Sequence, residues 1–276
     1  MSSACHQQGG DRNTGNYIFG NESDRGARRF RALEAIFDPG TKRIMTDHLG
    51  VKARWSCLDV GAGSGSIAAW LCDRVGPDGQ VLATDLDTRH LERLALRNLV
   101  VRHHDIRRDP LPEGRFDLVH TRLMLMHLRD RMRVMQSLVS ALKPGGWLLV
   151  EEFDALSLRS DPSVNPAESA FATLKAMHQV LADHGVDLRC GRLLSGRQRR
   201  FGLQDIGSEG RIFMWQGGSI GADLMSANIE QLRDEILTSG LISEPQLEQD
   251  LQGLGRDDFV FPSPILWAVW GRKAWP

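Results

Sequence analysis

Short apolar runs alternate with amphipathic segments between residues 56 and 154. The runs "SCLDV", "QVLATDLD", "LVVRHHD", "FDLVHT" and "WLLVEEFD" read as strands. Between them lie helical patterns. "SIAAWLCDRV" stops at "GPDG". Residues 88–98 place Leu91, Leu94 and Ala95 inward, and the segment after "FDLVHT" continues to Leu142, where "KPGG" ends it. Strands alternating with helices predict a parallel sheet covered on both sides, an α/β doubly wound fold.

The rhythm differs at both ends. "NESDRGARRFRALEAIF" places Phe30, Leu33, Ile36 and Phe37 on one helical face, Pro39-Gly40 ends that helix, and a second helix follows over residues 42–49. Beyond Asp154, "NPAESAFATLKAMHQVLADHG" reads as a helix starting near Pro166, and "GRLLSGRQRRFGLQDIG" as a crossover helix. "EGRIFMWQ" and "FVFPSPILWAVWG" read as strands enclosing a helical insertion over residues 222–254. The division is then a disordered tail (1–15), a helical arm (16–52) and one domain (53–276). The arm and the helical segments near 160–190 and 222–254 are candidates for a lid over the sheet's ligand edge.

Composition narrows the class. At 41% hydrophobic and 25% charged residues, the chain is ordinary for a globular protein. A net charge of -1 gives no electrostatic case for nucleic acid. The four cysteines show no metal-type spacing, so no metal site is expected. The amino terminus lacks the apolar core of a signal peptide, and no run approaches a membrane span. A cytoplasmic protein with no membrane partner is the expectation.

The densest chemistry lies in "LDVGAGSG". Gly61, Ala62 and Gly63 follow the first strand, where bare backbone lets a ligand come within hydrogen-bonding distance. Asp85 ends the next strand, about twenty residues on, where a carboxylate can accept from both hydroxyls of a ribose. A dinucleotide or S-adenosylmethionine would each suit this βαβ unit. The glycines alternate as G-x-G-x-G with Ser66 in sixth place, unlike the dinucleotide pattern G-x-G-x-x-G/A.

The set "LDVGAGSG", "ATDLD", "HHDI", "FDLVHTRLMLMHL" and "LKPGGWLLVEE" resembles, in order and spacing, the class I S-adenosylmethionine-dependent methyltransferases over residues 55–155. The arm also looks like that of bacterial small-molecule methyltransferases. The resemblance implies a mostly parallel, seven-stranded Rossmann-like sheet with a helical arm and lid insertions. It implies Asp59, Gly61, Ala62 and Gly63 at the methionine end of the cofactor and Asp85 at the ribose. Leu86 and Ile106 would lie against adenine, with Asp105 at its amino group. Thr121 and Arg122 would line the methionine moiety, and Tyr17, the single tyrosine, would close over it from the arm.

Methyl transfer to a phenol, amine or enol calls for a base. His127 in "LMLMHLRD" is the candidate, with Glu151, Glu152 and Asp154 as alternatives. Adjacent strand residues face opposite sides, so Glu151 and Glu152 cannot share one pocket unless the strand ends between them. The chain lacks the D/N-P-P-Y/F and Pro-Cys motifs of DNA methyltransferases, which leaves a small organic acceptor and transfer to O, N or C. The alternatives are an NAD(P)-dependent oxidoreductase and a non-methylating member that binds S-adenosylmethionine. The arm also offers a surface for homodimer packing.

Overall fold

A parallel strand covered on both faces buries both sets of its alternating side chains. The central strands do so. Cys57, Val81, Ala83, Leu118 and Leu149 enter one apolar cluster, while Leu58, Val60, Leu82, Val119, Leu148 and Val150 enter the other. In this computed structural model the described residues are 24–157 and 169–275. The expected disordered tail, Tyr17 and the expected helix start near Pro166 lie outside the described residues.

Helix α1 (Asp24–Asp47) precedes β1 (Ser56–Val60), α2 (Ser66–Val75), β2 (Gln80–Asp85), β3 (Leu99–His103) and β4 (Phe116–Arg122). Then come α3 (Arg131–Ala141), β5 (Leu142–Asp154), α4 (Ser169–Asp183), α5 (Leu194–Arg200) and β6 (Gln204–Arg211). The chain ends with β7 (Met214–Gln216), α6 (Ile220–Gln231), α7 (Arg233–Thr238), α8 (Glu244–Gly253), β8 (Val260–Pro262) and β9 (Ile265–Arg272). Seven strands form one doubly wound sheet in the order β3-β2-β1-β4-β5-β9-β6, with β9 antiparallel to both neighbours and the other pairs parallel. Strand order reverses between β1 and β4, which opens a crevice at their carboxyl ends. β7 and β8 form a separate two-stranded ribbon around α6–α8.

Several expected elements differ: "EGRIFMWQ" divides between β6 and β7, "FVFPSPILWAVWG" between β8 and β9, and the expected crossover helix ends at Arg200 with its last residues in β6. Pro39-Gly40 does not end the arm helix, because α1 runs through it. An interior proline normally costs about 3 kcal/mol or more, but α1 is anchored on both sides of it. Phe37 is buried in one cluster, and Ile44 and Met45 in the other. Gly40 serves a close approach: the Arg211 guanidinium crosses the helix there, and a Cβ on Gly40 would lie 1.7 Å from Arg211 Nη1. Arg211 Nη1 donates to Phe37 O at 3.2 Å. The helix expected over 88–98 is only a 3-10 turn, Leu91–Leu94, ended by Ala95 at φ 44°. Leu91 and Leu94 turn back onto Gly65, where a Cβ would lie 2.7 and 2.6 Å from them, and Ala95 is exposed.

Candidate functional site

A cavity of about 390 Å³ opens at the crevice. Its floor is the loop after β1. Gly61 and Gly63 have φ of 69° and 58°, a region that favours glycine. Side chains cover this loop closely, since a Cβ on Gly63 would lie 2.8 Å from the Phe30 ring. Gly61 N and Ala62 N donate to Thr84 O at 2.8 and 3.1 Å, Gly63 N donates to Asp85 Oδ2 at 2.8 Å, and Gly65 N donates to Ala62 O at 2.9 Å. The loop's donors are thus largely committed to the protein.

Asp59, Gly61, Ala62, Gly63, Asp85, Leu86, Asp105, Ile106, Arg122 and His127 all face this one cavity. Asp85 Oδ1 also accepts from Asp87 N at 3.0 Å. Burial raises the Asp85 carboxyl above its usual range, and the N–H donors around it offset only part of that. Asp105 is held below the usual carboxylate range by the Arg107 guanidinium, whose Nε donates to it at 2.9 Å. Leu86 remains 47% exposed, an apolar side chain at the cavity edge.

Thr121 is the residue that the structure separates from the others. Its strand neighbours His120 and Arg122 face the cavity, so the alternation of β4 turns Thr121 to the opposite side, where it is fully buried.

His127 faces the cavity, but its chemistry differs from the expectation. Burial, then the charge of Arg29, push its pKa down to about 3. A ring neutral throughout the physiological range and so weakly basic is poorly suited to taking up a proton. Glu151 and Glu152 are both fully buried and neither reaches the cavity wall, while Asp154 is paired with Arg192 at 2.6 Å.

The sequence reading did not single out His120. Its Nδ1 lies 2.7 Å from Asp59 Oδ1 and its Nε2 lies 3.3 Å from Glu151 Oε2. Burial by itself would lower this pKa, but Asp59 and then Glu151 raise it to about 9. A buried imidazolium therefore sits between two carboxylates. The network continues outward. Thr41 Oγ1 donates to Glu151 at 2.6 Å, Arg211 pairs with the same carboxylate, and Arg122 donates to Asp38 at 2.8 Å and to Thr41 Oγ1 at 3.1 Å. The available signal was a polar residue near the end of each of two central strands, Asp59 in "SCLDV" and His120 in "FDLVHTR", and the structure brings the two into register.

Helix α1 forms one wall through Arg29, Phe30, Leu33 and Glu34, and Ser64 Oγ donates to Glu34. Of the segments expected as lids, the arm thus supplies this wall, while among the described residues those near 160–190 and 222–254 do not reach it. Instead α6 braces α1: Arg28 pairs with Asp223 at 2.7 Å, and Arg29 Nε donates to Asn228 Oδ1 at 2.9 Å. The insertion packs behind the arm because its buried face meets α1.

The sheet order, the glycine turn at the strand reversal and the helices on both faces define the class I methyltransferase fold. Residues 58–150 match the family described as "Methyltransferase domain". Over those residues the chain is similar to that family.

Among relatives, "Methyltransferase str3" of Strobilurus tenacellus is 29% identical over 139 residues, covering 50% of this chain and 49% of that protein. The "Ubiquinone/menaquinone biosynthesis C-methyltransferase UbiE" of Pseudomonas putida is 33% identical over 120 residues, covering 41% and 47%. The chain thus spans about half the length of these relatives. Among solved structures, phosphoethanolamine N-methyltransferase 2 of Haemonchus contortus, in complex with phosphomonomethylethanolamine and S-adenosylhomocysteine, is similar with a TM-score of 0.58 at 18% identity, covering 92% of this chain and 58% of that one. The YcgJ protein of Bacillus subtilis has a TM-score of 0.57 at 13% identity, covering 86% and 100%. These likenesses show the fold. Among the described residues, no helix is long and apolar enough to cross a membrane.

Proposed function

We propose that this protein binds S-adenosylmethionine in the 390 Å³ cavity and transfers its methyl group to a small organic acceptor. The observation that carries the reading is the state of the glycine loop. A pyrophosphate needs free N–H donors at such a turn, but Gly61, Ala62, Gly63 and Gly65 already donate to protein acceptors. A ligand with a cationic amino-acid end is better matched to Asp59, the acid that precedes this loop and lines the cavity. This weighs against the nicotinamide alternative.

The other wall residues fit the same ligand. Asp85, with both oxygens oriented by backbone donors, accepts from a ribose. Leu86 and Ile106 offer apolar surface to a purine, and Asp105 an acceptor to its amino group. The buried Thr84 hydroxyl has no protein partner among the described residues and faces the same space. When bound, the cofactor supplies a methyl group activated on a sulfonium.

The chain's own contribution is alignment, with effects that reach about 7–11 kcal/mol in well-oriented systems. His120 orients Asp59 through the 2.7 Å contact between its Nδ1 and Asp59 Oδ1. Arg29, Leu33, Met124, His127 and Leu128 shape the rest of the wall, where the acceptor is proposed to sit. With His127 held neutral, the acceptor ionises by itself or loses its proton to water. The names of the relatives support a small acceptor: one is a C-methyltransferase of ubiquinone and menaquinone biosynthesis, and the solved neighbour holds phosphomonomethylethanolamine.

Calorimetry with S-adenosylhomocysteine and with NAD+ tests the cofactor. Binding of the first and not the second is expected, and the reverse would sink the proposal. Incubation with methyl-labelled S-adenosylmethionine and a metabolite extract then tests transfer. Label should move into small molecules, whereas a non-methylating binder would leave it on the cofactor.

A further inference from the structure

His104 follows β3 at the carboxyl edge of the sheet, one residue before Asp105. It is 4% exposed and faces the cavity. Neither ring nitrogen has a hydrogen-bond partner among the described residues. Its backbone is fixed, since His104 N donates to Asp85 O at 2.9 Å. The ring thus lines the same cavity as Asp85 and Asp105, with its polar atoms unmatched by protein among the described residues.

A neutral imidazole always presents one donor and one acceptor. Buried polar atoms of this kind are found paired, with protein, ordered water or a ligand. At this end of the cavity the carboxylates only accept. Asp85 takes Gly63 N and Asp87 N, and Asp105 takes the Arg107 guanidinium. An adenine ring carries acceptor nitrogens as well as its amino group, so the Asp105 carboxylate leaves part of it unread. A donor is needed, and His104 supplies one.

We propose that His104 is a binding residue for the adenosyl part of the cofactor, its ring N–H donating to a purine nitrogen beside Asp105. This rests on the reading that the cavity takes S-adenosylmethionine. Thr84, whose hydroxyl is also buried and without a protein partner among the described residues, lines the same cavity.

The test is calorimetry on the full chain with two probes, S-adenosylhomocysteine and 5′-methylthioadenosine, which share the adenosyl group and differ in the amino-acid end. His104→Phe should weaken both by a similar factor of about tenfold, as expected for losing one buried hydrogen bond. His104→Gln, which keeps a donor and an acceptor, should recover most of that loss. Asp59→Asn should weaken S-adenosylhomocysteine more than 5′-methylthioadenosine. Unchanged binding by His104→Phe, or a loss confined to S-adenosylhomocysteine, overturns the assignment while leaving the cofactor reading intact. No binding of either probe to the wild type overturns the cofactor reading first. Nitrogen-15 histidine spectra of the wild type give a check independent of any variant: the His104 ring signals should move when 5′-methylthioadenosine is added, and static signals contradict the contact.

Discussion

Glu151 and Glu152 are neighbours on β5, both without solvent exposure, and they end in opposite states. Burial raises the pKa of each. At Glu151, the hydrogen bond from His120 and the charges of Arg211 and Arg122 outweigh that effect and hold the carboxyl near 2. At Glu152, the backbone donors Leu125, Met124 and Met126 offset only part of it, and the carboxyl stays up at about 8. Leu125 N and Met124 N reach Glu152 Oε1 at 2.6 and 3.0 Å. The lesson is that burial alone does not decide ionisation; the charge brought to the same face does. One face of the strand carries an ionic network that ties α1 and β6 to the floor of the cavity. The other face carries a largely neutral acid that pins the turn leading to His127.

The largest effect should come from breaking the charged side. Glu151→Ala leaves the imidazolium of His120 and the guanidinium of Arg211 buried without their counter-charge, and should cost about 3–5 kcal/mol in urea unfolding. A variant as stable as the wild type would show that the network is not ionised.

The next effect is with pH. The His120 pKa is raised from 6.5 to about 9, so its contribution is complete below pH 6.5 and disappears as pH rises through 9. Glu152, raised from 4.5 to about 8, stabilises most below pH 4.5 and loses its contribution by pH 8. Unfolding free energy should therefore fall between pH 6 and 10, by about 3 kcal/mol from His120. His120→Gln should flatten the upper part of that curve, and Glu152→Gln the part below pH 8.

Gly40→Ala sets two effects against each other. Alanine favours the helix by about 1 kcal/mol, but its methyl would displace the Arg211 guanidinium from its seat. Arg211 is pinned by Glu151 and Phe37 O, so the loss of that pairing should win, by about 1–2 kcal/mol. Increased stability would mean that Arg211 finds another path. The smallest effect is expected for Glu152→Gln at pH 4, about 1 kcal/mol or less, because the acid is then mostly neutral in both the folded and the unfolded chain.

The central strands were legible because parallel strands buried on both faces carry near-continuous apolar runs. Alternation alone placed Glu151 and Glu152 on opposite sides. The glycine turn and Asp85 were legible because the βαβ unit ties their separation to the fold. Residues 88–98 and Pro39-Gly40 misled for one reason: helix propensity and stop signals are weak beside tertiary packing. Leu91 and Leu94 fold onto Gly65, and buried contacts carry α1 through its proline.

The order of residues therefore specified the sheet, its crevice and the acids at its edge, since those follow from periodicity and local spacing. The partners of those acids were set elsewhere. His120 meets Asp59 from 61 residues away, and Arg211 meets Glu151 from 60. Charge and ionisation act through space, over distances that only the folded chain creates. For that reason the protonation of Glu151, the neutral state of His127 and the seat of α1 over the cavity belonged to the tertiary structure.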